Sequence, residues 1–268
     1  LRQTGKSFRS VNMDIGWWQL ASFMTVLLVP FGIGRYFELG LNKDMINAVL
    51  RMLIQLVLVG VYLQYLFELN SFIVNMLWLI LMLLIGASAI VTKAKLSRRL
   101  LYFPVLCGLS LGLFPVLGLM IILLLSPQPL YSAQYLIPTA GMLLGNCLSG
   151  NIVALQRLFG AFTDRKAEYE AALALGASSY QAALPFIQTA MQQSFAPILA
   201  SMATTGLVTL PGMMTGQILG GVDPLIAIKY QIVILVAIFV TLTVSVAASL
   251  LLSIKTVVNV NGRVKLLP

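Results

Sequence analysis

The sequence predicts an all-α integral membrane protein with about seven transmembrane helices. Of its 268 residues, 59% are hydrophobic and 9% are charged, whereas soluble domains carry about 25% charged residues. Apolar runs of roughly 20 residues, the length that crosses a bilayer, recur along the chain between short polar stretches. No polar stretch is long enough to fold separately, so residues 13–268 are predicted to form a single transmembrane domain. Residues 1–12 are polar and basic, and we interpret them as an extension or a surface tail.

Seven apolar stretches are the predicted spans. They cover residues 17–37, 45–67, 72–91, 101–125, 133–159, 187–210 and 225–254. Pro30 makes the first span prone to kink, and the last span is long enough to tilt or project from the membrane. Gly141 and Gly145 have the GxxxG spacing that lets two helices approach closely, although a merely glycine-rich helix would show it too.

The segment between the sixth and seventh spans, residues 210–224, is rich in glycine and proline. A simple long helix is therefore not expected there. We predict a short broken helix near the outer face. A re-entrant gate element and an ordinary external loop are the alternatives, since irregular backbone at membrane depth needs protein or a cavity around it.

Lysine and arginine placement predicts the orientation. With the N-terminus outside and the C-terminus inside, the cytoplasmic loops contain most of the basic residues, including Lys93, Lys95, Arg98, Arg99, Arg165 and Lys166. This imbalance is the one that cytoplasmic loops show. It also explains the net charge of +9 without nucleic-acid binding. The loop between spans five and six is thus predicted to be cytoplasmic.

That loop, residues 164–185, is the longest interruption of the apolar sequence and is predicted to form two short helices. One helical stripe contains Tyr169, Ala172, Leu173 and Gly176. Gly176 is expected to end the first helix, and Ser178 with Gln181 has the pattern of a capping box that opens the second. An ordinary amphipathic surface helix would explain the same pattern.

Glu170-Ala171-Ala172, followed after three residues by Gly176, resembles the coupling-loop motif of ABC transporter permeases. In those proteins a small helix docks on a cytosolic ATPase. The resemblance implies a coupling role for Glu170, Ala171, Ala172, Gly176 and Ser178, and a partner subunit that binds ATP and Mg²⁺. The chain has no GxxxxGK[ST] loop, so it is predicted to be neither the ATPase nor an enzyme, and no cofactor is expected in it. Seven spans are about half of such a transporter, which predicts a homodimer.

Blocks spread along most of the chain resemble the Fet-type iron-export permeases, to which plant aluminium-tolerance permeases are similar. The matching residues include Arg51 and Gln55 in span two, Ile137-Pro138 and Gly145-Asn146 in span five, and much of the block 206–231 with Pro211-Gly212-Met213-Met214 and Lys229-Tyr230-Gln231. The resemblance implies a multi-pass permease of the bacterial inner membrane that exports iron or another metal ion.

The translocation path or gate is predicted from polar, methionine and helix-breaking residues in the spans. The candidates are Arg51, Gln55, Met142, Asn146, Pro211, Gly212, Met213 and Met214. Arg51 could equally extend to the membrane surface, and the methionines could simply pack. Metal ligands stay unassigned, because the chain has no histidine. A chelated or non-metal substrate, and a channel or secondary transporter without an ATPase, are the alternative functions.

Overall fold

The computed structural model describes residues 15–258, which are almost entirely helical and contain no β-strand. The elements are α1 (Trp17–Met24), a 3₁₀ turn (Thr25–Leu27), α2 (Leu28–Tyr36), α3 (Asn42–Leu69), α4 (Phe72–Lys93), α5 (Arg98–Leu119), a π-helical segment (Met120–Leu125), α6 (Ala133–Asp164), α7 (Lys166–Ala174), α8 (Ser179–Thr204), α9 (Gly212–Leu219) and α10 (Pro224–Val257).

Six helical stretches of the described chain are long and apolar enough to cross a membrane: Trp17–Tyr36, Asn42–Leu69, Phe72–Lys93, Arg98–Leu125, Ala133–Asp164 and Pro224–Val257. The 26-residue helix α8 is also long enough, but its four glutamines make it less apolar. Since α8 packs against α6 and α10, it is the seventh long helix of the bundle. The prediction of an all-α membrane protein with about seven spans is confirmed. The orientation stays a prediction, and residues 1–12 lie outside the described residues.

The 164–185 loop contains one short helix, not two. The second predicted helix is the beginning of α8, which starts at Ser179 and continues through Pro185. A proline removes one backbone hydrogen bond, a loss that membrane helices tolerate. The helix α6 also runs beyond its predicted end at residue 159, to Asp164. The loop is consequently shorter and more rigid than the sequence suggested.

The glycine- and proline-rich segment contains a short helix, as predicted. The backbone leaves α8 through a turn at Gly206, whose φ of +89° suits glycine. The eight-residue helix α9 then begins after Pro211, and a second left-handed glycine, Gly221, leads into α10. Because α9 follows the far end of α8, it lies at the end of the bundle opposite the 164–185 loop.

The closest helix contact in the core joins α5 and α10. A Cβ atom on Gly108 would lie 2.8 Å from the backbone nitrogen of Ser249, and one on Gly112 would lie 2.7 Å from the carbonyl oxygen of Thr241. The facing stripe of α10 is small and polar, with Thr241, Ser245, Ser249 and Ser253 all buried. This pairing is a GxxxG contact that was not predicted from the sequence. The predicted pair behaves differently: a Cβ atom on Gly145 would meet no heavy atom within 4 Å, and one on Gly141 would make an ordinary contact with Met82.

Asn151 joins a third helix to this contact. Its side-chain amide donates to the Ser245 hydroxyl on α10 at 2.9 Å, and also to the carbonyl oxygen of Cys147 within α6 at 2.9 Å. Asn151 and Ser245 are both completely buried. Lipid tails are as apolar as the helix surfaces, so the hydrophobic effect does not drive membrane helices together. Hydrogen bonds between helices therefore add to the packing contacts that hold the bundle. The core is therefore α5, α6 and α10, with α4 and α8 packed around it.

The helix α3 lies at the edge of this core. It is anchored near its C-terminal end, where Leu66 is buried with Ala133 and Ile137 and where the rings of Tyr62 and Trp78 stack with centroids 4.3 Å apart. The preceding part of α3 is exposed along its length. This exposed part carries the arginine and glutamine of the predicted path.

Replacing Gly112 by alanine should destabilise the bundle by on the order of 1–3 kcal/mol, the usual cost of overpacking a tight core. The added methyl group meets backbone atoms of α10, which cannot move aside as a side chain can. The measurement is thermal unfolding of the detergent-solubilised protein. Gly118→Ala is the matched control on the same helix, since its Cβ would meet nothing within 4 Å. Equal melting temperatures for the two variants would contradict this account of the core.

Candidate functional site

The 164–185 loop contains α7. Two local features, a left-handed glycine and a capping box, end this helix and begin the next one. Gly176 ends the helix with a φ of +90°, a left-handed conformation typical of helix C-termini. The capping box is present as predicted: the Ser178 hydroxyl accepts from the backbone N–H of Gln181 at 3.3 Å, and the Gln181 side chain accepts from the backbone N–H of Ser178 at 2.9 Å. The chain thus turns sharply from α7 into α8.

An aromatic cluster fixes α7 to two long helices. The Phe162 ring on α6 meets Tyr169 of α7 and Phe186 of α8 edge to face, with centroid distances of 5.2 and 5.3 Å. The Arg165 guanidinium lies 5.0 Å from the centre of the Phe186 ring, a cation–π contact. All three rings are buried. The short helix α7 is therefore packed against α6 and α8 through one shared aromatic cluster.

The charged residues of α7 and its N-cap form two exposed ion pairs between neighbouring turns of the chain. Arg165 pairs with Glu168, and the Lys166 ammonium lies 3.5 Å from a carboxylate oxygen of Glu170. The hydrogen bond from Arg165 lowers the pKa of the Glu168 carboxyl. That pair is therefore intact at neutral pH and is lost only on strong acidification; being exposed, it adds little stability. Burial raises the pKa of the Tyr169 phenol, and a hydrogen bond with Ser179 acts against that rise.

The outward side of the loop is open to solvent and carries both charged and small or apolar residues. Glu170, Ala171, Gly176 and Ser178 are exposed, whereas Ala172 faces the bundle and is partly buried. Ala172 thus supports α7 and does not belong to its free surface. Leu175, which is 90% exposed at the tip of the loop, was not predicted from the sequence. Hydropathy alone would place a leucine inside the protein, so its exposure is visible only in the folded loop.

A cavity of about 700 Å³ opens at the other end of the bundle, between the π-helical segment, α6, α9 and α10. Two of the predicted path residues, Met142 and Met213, share its wall. Its polar and charged wall residues are Gln134, Tyr135, Thr139, Gln217, Lys229 and Tyr230. Pro138 of α6 and several aliphatic side chains complete the lining. The structure therefore brings part of the predicted path into one concave site.

The other predicted path residues do not line this cavity. Pro211 precedes α9, Gly212 begins it, and Met214 is buried beneath it. Asn146 lines an adjacent crevice of about 200 Å³ between α6, α8 and α10, with Ser149 and Ser194. Arg51 and Gln55 line neither space, because both are exposed on α3. Among residues 15–258, no group of three His, Cys, Asp or Glu side chains converges as a metal site would.

Comparison with known proteins places the chain among membrane proteins. The model of the "Uncharacterised protein family (UPF0014)" matches residues 17–258. The chain is 32% identical to the UPF0014 membrane protein YjkA of Bacillus subtilis over 237 residues, 88% of this chain and 92% of the relative. It is 35% identical to the Protein ALUMINUM SENSITIVE 3 of Arabidopsis thaliana over 216 residues, 80% of this chain and 77% of the relative.

A further relative carries a functional name. The chain is 31% identical to the "Probable iron export permease protein FetB" of Escherichia coli (strain K12) over 217 residues, 80% of this chain and 82% of that protein. No solved structure gives a significant match. The matched region includes every helix that forms the loop and the cavity, since the family model spans residues 17–258.

Proposed function

The chain belongs to the UPF0014 family of membrane proteins, and from that premise we propose that it is the permease subunit of an ABC transporter, driven by ATP hydrolysis on a separate cytosolic subunit. The observation that carries the proposal is α7. It is a short, rigid helix with an open apolar tip at Leu175, it sits between two long helices, and it is fixed to both by the Phe162 cluster. A helix on which a separate motor subunit docks needs these properties.

The proposed cargo is iron or another metal ion, moved outwards across a bacterial inner membrane. The relative named as a probable iron export permease supports it, at 31% identity over most of both chains. The cavity at the end opposite α7, with Met142 and Met213 on its wall, is the proposed exit compartment. ATP and Mg²⁺ would bind the partner subunit.

The proposed assembly is a homodimer of this chain with two ATP-binding subunits. The exposed polar residues Arg51 and Gln55 on α3 support it. Within the described residues, Arg51 and Gln55 have no ion pair or hydrogen-bond partner. Polar groups facing lipid are costly, so a second copy is the natural cover for this face. Such a contact would be isologous.

Coupling would run along the helices that α7 touches. When the motor subunits close on ATP, α7 is displaced, and the Phe162 cluster transfers the movement to α6 and α8. These same helices enclose the crevice that Asn146 and Ser149 line, and α6 continues into the wall of the large cavity. A rigid shift of α6 against α8 would therefore open the crevice as it closes the large cavity, or the reverse. The helices would then alternate between two discrete packing arrangements.

The proposal is tested by assembling the chain with an ATP-binding subunit. The chain should be co-expressed with candidate ATP-binding subunits, recognised by their own GxxxxGK[ST] loops, and isolated in lipid nanodiscs. The proposal expects a stable complex whose mass corresponds to two copies of each chain and which hydrolyses ATP. If no candidate subunit co-purifies with the chain, the proposed function is wrong.

A further inference from the structure

The cavity of about 700 Å³ has the size and wall of a small-molecule site. Ligand pockets typically enclose about 300–1,000 Å³ and combine a largely apolar lining with a few placed polar groups. Here, Met142, Met213 and aliphatic residues supply the apolar lining. The rings of Tyr135 and Tyr230 supply flat apolar area with a hydroxyl group on each. A hydrated metal ion would leave most of this volume and apolar wall unused.

The fixed charge of the cavity is positive. Lys229, an exposed residue on the second turn of α10, is the one charged residue that the described part of the chain places in the lining, and this part contributes no carboxylate to it. The ion pairs found among residues 15–258 both lie on α7, so Lys229 has no carboxylate within 4.0 Å. Asp223, the acidic residue nearest in sequence, caps α10 by accepting from the backbone N–H of Leu225 at 2.8 Å. An ammonium group without a counter-charge attracts an anion and repels a cation.

The neutral polar groups of the wall also suit an anionic guest. Tyr135, Tyr230 and Thr139 carry hydroxyl groups that can donate to a carboxylate or phosphate oxygen. The Gln217 side chain of α9 has a buried amide oxygen without a hydrogen-bond partner among the described residues. That oxygen is an acceptor, so it would pair with a hydroxyl or N–H group on the body of the guest and not with its anionic group. A buried unpaired amide is costly, and a bound molecule would remove that cost.

Bare metal ions lack suitable ligands in this cavity. Its sulfur atoms belong to methionines, whose neutral thioethers suit soft ions and cannot offset the charge of Lys229. Iron prefers oxygen, imidazole or thiolate ligands. Among residues 15–258, no Asp, Glu, His or Cys lines the cavity. A metal would be accepted here only when an organic ligand gives the whole chelate a net negative charge.

We propose that this cavity binds an organic anion with an aromatic or aliphatic body, a metal-chelating carboxylate or phosphate included, and that Lys229 holds the anionic group. The inference rests on the proposed function only for the claim that the bound molecule is cargo. Binding itself requires no ATPase. It can therefore be tested on this chain alone.

The test is equilibrium binding to the purified chain in nanodiscs of zwitterionic lipid. The probe is a fluorescent hydroxynaphthoate, which chelates ferric iron; its uncharged amide is the matched probe, and ferrous chloride and the ferric hydroxynaphthoate complex are the metal probes. Empty nanodiscs correct for partition into lipid. The variants are Lys229→Gln, which removes the charge, and Lys229→Arg, which keeps it. Lys255→Gln is the control, an exposed lysine at the far end of the same helix.

We expect the carboxylate to bind the wild-type chain at least about tenfold more tightly than the amide, as a charge-assisted hydrogen bond allows. Lys229→Gln should remove that preference, while Lys229→Arg and Lys255→Gln should keep it. Added salt should weaken binding of the carboxylate and not of the amide. The ferric complex should bind and ferrous ion should not.

Three results would overturn the inference: no binding of either probe, equal affinity for both probes in the wild-type chain, or a folded Lys229→Gln variant that keeps the wild-type preference for the carboxylate. Lys229→Arg and the salt dependence keep the test valid if Lys229→Gln is poorly folded. If the nanodisc binding fails although the ATPase complex assembles, the cargo class alone is wrong. If binding succeeds and no ATPase assembles, the proposed function alone is wrong.

Discussion

Replacing Leu175 by aspartate is expected to prevent the chain from binding its ATP-binding subunit. Leu175 is 90% exposed at the tip of the 164–185 loop, so the change should leave the fold of the permease intact. A buried apolar anchor at the centre of an interface is typically worth about 2 kcal/mol or more, which is about 30-fold in affinity. A carboxylate in its place would be buried without a partner. The measurement is the amount of ATP-binding subunit that co-purifies in nanodiscs.

Leu207→Asp is the matched control for this change. Leu207 is 92% exposed in the turn between α8 and α9, at the opposite end of the bundle. The same substitution there adds the same charge to an equally exposed leucine. It should leave ATPase binding unchanged. If the two variants lose the ATPase equally, or if Leu175→Asp binds it normally, α7 is not the docking element.

Replacing Phe162 by leucine is expected to separate ATP hydrolysis from transport. Phe162 is the ring that both Tyr169 of α7 and Phe186 of α8 contact. Leucine keeps most of the apolar volume, so the bundle should fold, but the edge-to-face contacts that hold α7 are lost. The ATPase should still bind through Leu175 and hydrolyse ATP. Transport per ATP hydrolysed should fall several-fold, measured in proteoliposomes.

Phe195→Leu provides the comparison for Phe162→Leu. The Phe195 ring pairs with Phe239 of α10, at a centroid distance of 6.3 Å, and the pair includes no residue of α7. Its loss should affect stability without changing the ratio of transport to hydrolysis. The proposed transfer of movement through the Phe162 cluster is wrong if Phe162→Leu retains the wild-type ratio of transport to hydrolysis, or if both variants lower that ratio equally.

Much of the fold followed from the sequence, because a lipid environment imposes simple rules. Runs of apolar residues of sufficient length had to become spans. Gly176 and the Ser178–Gln181 pair carried local signals that need no tertiary context, and both are confirmed. The beginning of the predicted sixth span was placed too late because a proline such as Pro185 marks a helix boundary in most sequences, whereas packing carries α8 through it.

The tertiary features were harder to predict, since they depend on which helices meet. Within the long helices, two pairs of glycines have the GxxxG spacing, Gly108 with Gly112 and Gly141 with Gly145, and the sequence does not say which pair faces a neighbour. Leu175 was overlooked because hydropathy places leucine inside, and only the folded loop shows that it is outside. Lys229 was placed near the outer end of the predicted seventh span, without a role in the path. Its place in the cavity wall depends on α9 folding back beside α10.

The central claim is that this chain moves its cargo only when a partner hydrolyses ATP. The direct measurement is iron flux, as free ion and as anionic chelate, in proteoliposomes that contain this chain with or without its ATP-binding subunit. The account predicts that flux requires both chains together with ATP and Mg²⁺, and that it stops with Leu175→Asp. Flux through this chain alone, down a gradient and without ATP, would contradict the account and identify a channel or secondary transporter.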